Sequence, residues 1–145
     1  MTQSDDSCDL QRFVDAQNPV VDVVKRELRT GRKRSHWMWY IFPQMEGLGR
    51  SEMAQRYAIS SRGEAEAYLS HPILAPRLRE CTELVNEING RSTNEIFGTP
   101  DDLKFRSSMT LFEVVADDPD PFRDALDQYF DGDLDPKTLE LLADV

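Results

Sequence analysis

The sequence has few of the residues that build metal centres and disulfide frameworks, with two cysteines and two histidines in 145 residues. Cys8 lies near the start of the chain, and Cys81 lies inside an apolar helical pattern. Neither these residues nor His36 and His71 have neighbours at ligand spacing. We therefore expect no metal site and no cofactor, and we interpret Cys81 as a small buried residue.

Long apolar runs and an excess of cations are also missing. No stretch approaches the roughly eighteen apolar residues that a membrane-spanning helix needs, and the N-terminal MTQSDDSCDL has neither region of a secretory signal. The 17 Lys and Arg stand against 27 Asp and Glu, a formal net charge of −10, which argues against general nucleic-acid binding. These features predict a soluble, cytoplasmic protein that does not bind membranes, and they leave its oligomeric state open.

The charge that is present is unevenly distributed. Six cations fall within residues 25–34, whereas residues 117–145 carry ten acids against two cations. We interpret both regions as solvated faces that pair loosely. The alternative is that the basic band docks an acidic partner.

Helical periodicity dominates the chain, and the eight prolines fall near the places where it stops or restarts. The pattern predicts an all-α fold, a single domain over residues 1–145 with about eight short helices, in which residues 1–7 form a flexible tail. Asn18, Ser51 and Thr99 are expected N-caps, and Gly31 is an expected helix end. Residues 37–42 are compatible with a short strand or with an aromatic-rich helix. The remaining predicted helices span about residues 9–17, 19–30, 51–58, 63–69, 76–88, 93–97, 100–116, 122–130 and 136–143.

The densest unusual segment is residues 35–51, SHWMWYIFPQMEGLGRS, which contains both tryptophans. Its aromatic side chains predict either a hydrophobic anchor between helices or the wall of a ligand pocket. In a pocket, the amide of the glutamine would donate directional hydrogen bonds, and the turn at residues 47–51 would offer backbone N–H groups to an anion. The candidate ligand-binding residues in this segment are His36, Trp37, Trp39, Phe42, Gln44, Gly47, Gly49 and Ser51.

Two further clusters are candidates for chemistry. The helix that starts near residue 100 is apolar almost all round, except for a polar line formed by Asp101, Lys104, Ser107 and Ser108. A lysine on such a helix needs an acid or a phosphate as partner, so the line is either a structural ion pair or part of a site. In GEAEAYL, Glu64 and Tyr68 share one helix face, where the carboxylate is either solvated or a general acid or base.

At these residues the sequence resembles the family catalogued as domain of unknown function 1810, which genome annotation sometimes mislabels calpastatin. The resemblance is carried by FVDAQ, ELRTGRKRSHWMWYIFPQMEGLGRS, YAIS, EAEAYLSHPILAPRLREC and IFGTPDDLKFRSSMTLF, which cover nearly the whole chain. It implies a compact, predominantly α-helical fold. The order of EAEAYL and KFRSSMTLF is also similar, over a shorter length, to NADAR proteins, which are helical domains linked to ADP-ribose derivatives and N-glycosidic bond cleavage.

These observations support two functional hypotheses. The first is an N-glycosidase or related hydrolase of an ADP-ribose or phosphoribosyl compound, with Glu64 or Asp101 handling protons and Lys104 holding phosphate while Trp37 or Trp39 stacks the base. The second is a non-catalytic module that binds a nucleotide-like small molecule or a protein. The first hypothesis requires Glu64, Lys104 and the tryptophans to share one pocket.

Overall fold

The structure of the protein is a computed structural model, and it describes residues 9–143. The predicted tail at residues 1–7 and Cys8 lie outside the described residues. Over residues 9–143 the chain forms ten α-helices and no strand, which confirms the all-α prediction and corrects the expected number of helices. The helices are α1 Gln11–Gln17, α2 Val21–Thr30, α3 Met38–Ile41, α4 Glu52–Arg56, α5 Arg62–Ser70, α6 Leu74–Asn86, α7 Thr93–Phe97, α8 Asp101–Val115, α9 Asp120–Phe130 and α10 Pro136–Ala143.

Helix α8 is the centre of the hydrophobic core. It packs against α5, α7, α9 and α10, and it buries Phe105, Met109 and Phe112 completely. A helix with neighbours on several sides must be apolar around most of its circumference, as this sequence is. None of the helices in the described part of the chain is long and apolar enough to cross a membrane.

The ambiguous aromatic stretch forms helix α3, and its side chains enter the core from one end. Met38 and Ile41 are buried there, together with Phe42, which contacts the rings of Phe97 and Phe105. The chain then continues to a single parallel bridge between Met45 and Ile59. This bridge positions the loop that precedes α4.

Two predicted N-caps are corrected by the structure, and one is confirmed. Ser51 caps α4 by accepting a hydrogen bond from the backbone N–H of Ala54 at 3.1 Å. Helix α2 begins at Val21 instead of at Pro19, because the side chain of Asn18 accepts a hydrogen bond from the guanidinium of Arg77 and caps nothing. Helix α8 begins at Asp101.

The side chain of Thr99 does not cap α8, because its hydroxyl accepts a hydrogen bond from the Asn94 amide at 2.6 Å. Gly31 ends α2 with a φ of +84°, a conformation in which glycine carries no steric penalty.

Cys81 is buried in the core, and this burial raises the pKa of its thiol to about 12. Its thiol therefore stays protonated at neutral pH.

A buried carboxylate attaches the segment after α2 to that helix. Glu27 is 8% exposed, and its Oε1 accepts hydrogen bonds from the backbone N–H groups of Arg34 and Ser35 and from the indole N–H of Trp37, at 2.8, 3.1 and 3.0 Å. Its Oε2 accepts a hydrogen bond from the Ser35 hydroxyl at 2.6 Å. Burial by itself raises the pKa of this carboxyl, but the four hydrogen bonds outweigh burial and lower the pKa from 4.5 to about 2.

We predict that Glu27→Gln lowers the free energy of unfolding at pH 7 by ~2–4 kcal/mol, because a neutral amide holds these donors less well than a carboxylate. Since the folded pKa is lowered, the stabilisation by ionised Glu27 is fully present above pH 4.5 and is lost as the pH falls towards about 2. The difference between wild type and variant should therefore shrink between pH 5 and pH 3, as measured by urea unfolding.

The matched control is Glu83→Gln, which changes an exposed glutamate of α6 and should alter the unfolding free energy by less than ~0.5 kcal/mol. A Glu27→Gln deficit that is equally large at pH 7 and pH 3 would contradict the assignment of a stabilising carboxylate.

Candidate functional site

A groove of about 420 Å³ opens where the loop before α4 meets the first turns of α8 and α10. We call it the Lys104 groove. Its cationic side chains are Arg50, Lys104 and Lys137, and its single carboxylate is that of Asp135. The other lining residues are the polar Gln44, Gly49, Ser51 and Ser107 and the apolar Leu48, Ala54, Pro100 and Leu103.

Glycines let the loop pack closely against α4. Gly47 has a φ of +102°, a conformation that other residues rarely adopt. A Cβ atom on Gly49 would lie 2.5 Å from the Cβ of Ala54, so any side chain there would push the loop away from the helix. The two glycines therefore determine the shape of this wall of the groove.

Lys104 is held at the groove by interactions on two sides. Its ammonium lies 3.3 Å from the Asp101 carboxylate and 5.4 Å from the centre of the Trp39 ring. The other oxygen of Asp101 lies 3.0 Å from the ammonium of Lys33, which in turn lies 5.3 Å from the Trp37 ring. Asp101 and Lys104 of the predicted polar line on α8 thus belong to an ion-pair network, in which Lys104 reaches the groove.

The carboxylate in the groove is engaged in structural hydrogen bonds. One oxygen of Asp135 accepts from the hydroxyl groups of Ser107 at 2.9 Å and Thr138 at 2.5 Å, and from the backbone N–H of Thr138 at 3.3 Å. Asp135 therefore caps α10 and ties it to α8. The lining of the groove thus holds three cations and one carboxylate. Two of these cations also pair with carboxylates outside the lining, Lys104 with Asp101 and Lys137 with the exposed Glu140 at 3.9 Å.

The structure brings five of the sequence-predicted site residues together in the Lys104 groove. These residues are Gln44, Gly49, Ser51, Lys104 and Ser107. Two further predicted residues contact Lys104. Its ammonium lies 5.4 Å from the centre of the Trp39 ring, and Asp101 forms an ion pair with it. Gly47 does not line the groove. A Cβ atom at its position would contact the side chain of Leu141.

Four predicted ligand contacts are core residues instead. Trp37 is 1% exposed and donates its indole N–H to Glu27, and Phe42 packs among other aromatic rings. Tyr68 accepts a hydrogen bond from Gln17 at 3.1 Å, and its burial raises the pKa of its hydroxyl. Ser108 is completely buried. Trp37, Tyr68 and Ser108 have no surface that a ligand can reach, since the interior is filled by their neighbours. Phe42 borders only a small crevice beside Trp39.

His36 and Glu64 lie elsewhere on the molecule. His36 is exposed on the segment before α3 and does not line the Lys104 groove. Glu64 is 3% exposed and pairs with Arg12 at 3.1 Å, while the backbone N–H and hydroxyl of Ser60 donate to its other oxygen at 2.7 and 2.9 Å. Glu64 borders a different, open depression. It is not among the residues that line the Lys104 groove.

Sequence reasoning missed seven lining residues, which are Leu48, Arg50, Ala54, Pro100, Leu103, Asp135 and Lys137. Leu48 and Arg50 lie inside the predicted segment, residues 35–51, but Asp135 and Lys137 carry no motif that assigns them to a site. Lys137 did offer one signal, as an isolated cation among acids. In the described part of the chain, no three His, Cys, Asp or Glu side chains are grouped so that they could hold a metal ion.

Comparisons with known proteins show the family of the chain. The family model described as "Protein of unknown function (DUF1810)" matches residues 7–142. The chain belongs to this family. It is also similar to a solved structure, the conserved hypothetical protein Rv1873 from Mycobacterium tuberculosis, with 57% identity and a TM-score of 0.93 over 94% of this chain and 98% of that one.

No curated protein matches the chain. The family match and the solved structure confirm the resemblance inferred from FVDAQ and the longer motifs. They do not show the partial similarity to NADAR proteins. Membership of this family therefore supports the fold, and the function must be argued from the groove.

We predict that Glu64→Gln destabilises the fold by ~1–3 kcal/mol, because it removes the buried charge of the Arg12–Glu64 pair and weakens the hydrogen bonds from Ser60. Urea unfolding at pH 7 measures the change. The control is Glu66→Gln on the same helix, where the carboxylate is exposed and pairs with Arg62 at 3.8 Å, and it should change stability by less than ~0.5 kcal/mol. Equal effects of the two variants would contradict a structural role for Glu64.

Proposed function

We propose that the Lys104 groove binds an anionic, nucleotide-like small molecule. The observation that carries this proposal is the positive balance of the groove on a chain with a formal net charge of −10. Three cations line the groove, and its one carboxylate is occupied by hydroxyl and backbone donors. A local positive field in a concave surface concentrates anions there.

The phosphate of such a ligand is accommodated at the loop side of the groove. Lys104 provides an ammonium, and Arg50 provides a guanidinium that suits two phosphate oxygens at once. The backbone N–H groups of Gly49, Arg50 and Ser51 donate to no acceptor among residues 9–143. They add uncharged donors beside the two cations.

The remainder of the ligand is accommodated by the apolar wall. Leu48, Ala54 and Leu103 line the groove next to its cations. Leu103 is 59% exposed, so its side chain offers apolar surface to a ligand in the groove. A planar base or a sugar ring lying on this wall would cover apolar surface while its phosphate contacts Lys104.

Binding is better supported than hydrolysis of an N-glycosidic bond. Hydrolysis needs a carboxyl group that reaches the ligand and exchanges a proton with it. Glu64 pairs with Arg12 outside the groove, and Asp135 is held by α10. A hydrolytic role for this groove would therefore fall to Asp101, whose two oxygens pair with Lys33 and Lys104.

We predict that ribose 5-phosphate, AMP and ADP-ribose raise the melting temperature of the wild-type protein, and that Lys104→Met weakens their binding at least about tenfold by removing a charged partner of the phosphate. Isothermal titration at low salt measures affinity, which should fall as salt screens the groove. Chromatography of the same mixtures detects any released base, the product of N-glycosidic cleavage.

The matched control is Lys25→Met. Lys25 is as exposed as Lys104, with 22% of each side chain accessible, and it also pairs with a carboxylate, that of Glu80. It lies outside the groove, so affinity should not change. Binding by none of these compounds, or equal losses in the two variants, would refute the proposed site.

A further inference from the structure

The two tryptophans differ in how their indole N–H groups are satisfied. The Nε1 of Trp37 donates to Glu27 at 3.0 Å. The Nε1 of Trp39 is buried and has no acceptor within the described residues. Buried donors are nearly always paired, and an unpaired one destabilises the protein that contains it. The indole of Trp39 is therefore a donor that lacks its acceptor.

A small crevice lies against this indole. Its volume is about 10 Å³, and its walls include Trp39, Phe42 and Tyr57. It shares Gln44, Ala54 and Lys104 with the Lys104 groove, so the two cavities adjoin at these residues. A space of this size holds about one water-sized atom and excludes a ring.

The polar atoms around the crevice favour an anionic oxygen. Trp39 offers an indole N–H, Gln44 offers a carboxamide, and Lys104 offers an ammonium that lies 5.4 Å from the Trp39 ring. No carboxylate lines the crevice. Indole and ammonium groups donate hydrogen bonds and accept none, which selects an acceptor of negative charge.

We propose that this crevice is the subsite for one terminal oxygen of the ligand's anionic group, which accepts hydrogen bonds from the Trp39 indole and the Lys104 ammonium. The inference rests on the proposed function and specifies it further: the ligand must present a protruding oxyanion at one end. Phosphate monoesters and carboxylates share this chemistry. Ribose 5-phosphate and ribonate are probes for the two sources, and uncharged ribose is the negative control.

The direct test is the ¹H–¹⁵N spectrum of the wild-type protein, in which the two tryptophans give two indole signals. Trp39→Phe assigns them. On addition of ribose 5-phosphate or ribonate, the Trp39 indole proton should shift downfield as its hydrogen bond forms, while the Trp37 signal stays in place. Whichever probe produces the larger shift identifies the preferred oxyanion, and ribose should produce none.

A pair of matched variants provides the second test. Trp39→Phe keeps a ring beside Lys104 but removes the N–H group, so it should weaken binding of the preferred probe about tenfold. Trp37→Phe makes the same chemical change two residues away. It should lower the melting temperature by depriving Glu27 of a donor, and it should weaken binding much less than Trp39→Phe does, since it keeps the ring beneath Lys33 and removes no donor from the crevice.

The outcomes separate this inference from the proposed function. If the backbone signals of Gly49 and Ser51 respond to a probe but the Trp39 indole does not, and Trp39→Phe binds as tightly as wild type, the groove binds anions and the crevice assignment is wrong. If no probe changes any signal at the groove, the proposed function fails and the subsite fails with it. The wild-type spectrum gives this answer even where a variant folds poorly.

Discussion

The hydrogen bonds to the Glu27 carboxylate determine where the rest of the site can lie. They fasten residues 34–37 to the end of α2, and so fix the direction in which the chain enters α3. Lys33 then lies over the Trp37 ring and pairs with Asp101 at the start of α8. Asp101 in turn pairs with Lys104. A series of contacts thus runs from a buried anion on α2 to a cation at the groove, and each member constrains the next.

Three acidic side chains connect separate parts of the fold. Glu64 joins α5 to Arg12 on α1, and Asp135 joins α10 to Ser107 on α8. Asp101 likewise joins α8 to the segment after α2. Glu64 and Asp101 pair with cations and do not line the groove, so Asp135, which accepts hydrogen bonds from neutral donors, contributes the one negative charge of the lining. A chain with a large excess of acids thereby keeps one concave surface whose cations face outwards.

Local patterns predicted the helices well, because apolar spacing, Ser51 and Gly31 act within a few residues of where they stand. They also directed attention to residues 35–51 and to Lys104, since aromatic density and a lysine on an apolar helix are visible in the chain itself. The partners of acids could not be predicted in this way. Glu27 and Glu64 look like ordinary surface glutamates in sequence, and only tertiary packing reveals a loop wrapped over one and Arg12 beside the other.

The two tryptophans show why residue type alone could not divide core from site. Trp37 immediately precedes α3 with non-helical backbone angles, φ −133° and ψ 5°, whereas Trp39 lies inside the helix, and their side chains contact different neighbours. Trp37 therefore faces α2 and Glu27, while Trp39 faces Lys104 and the groove. A phenylalanine would pack a ring at position 39 without burying an unpaired donor. The indole N–H of Trp39 has no acceptor among the described residues, and the crevice beside it adjoins the Lys104 groove, which is why the proposed oxyanion subsite is placed there.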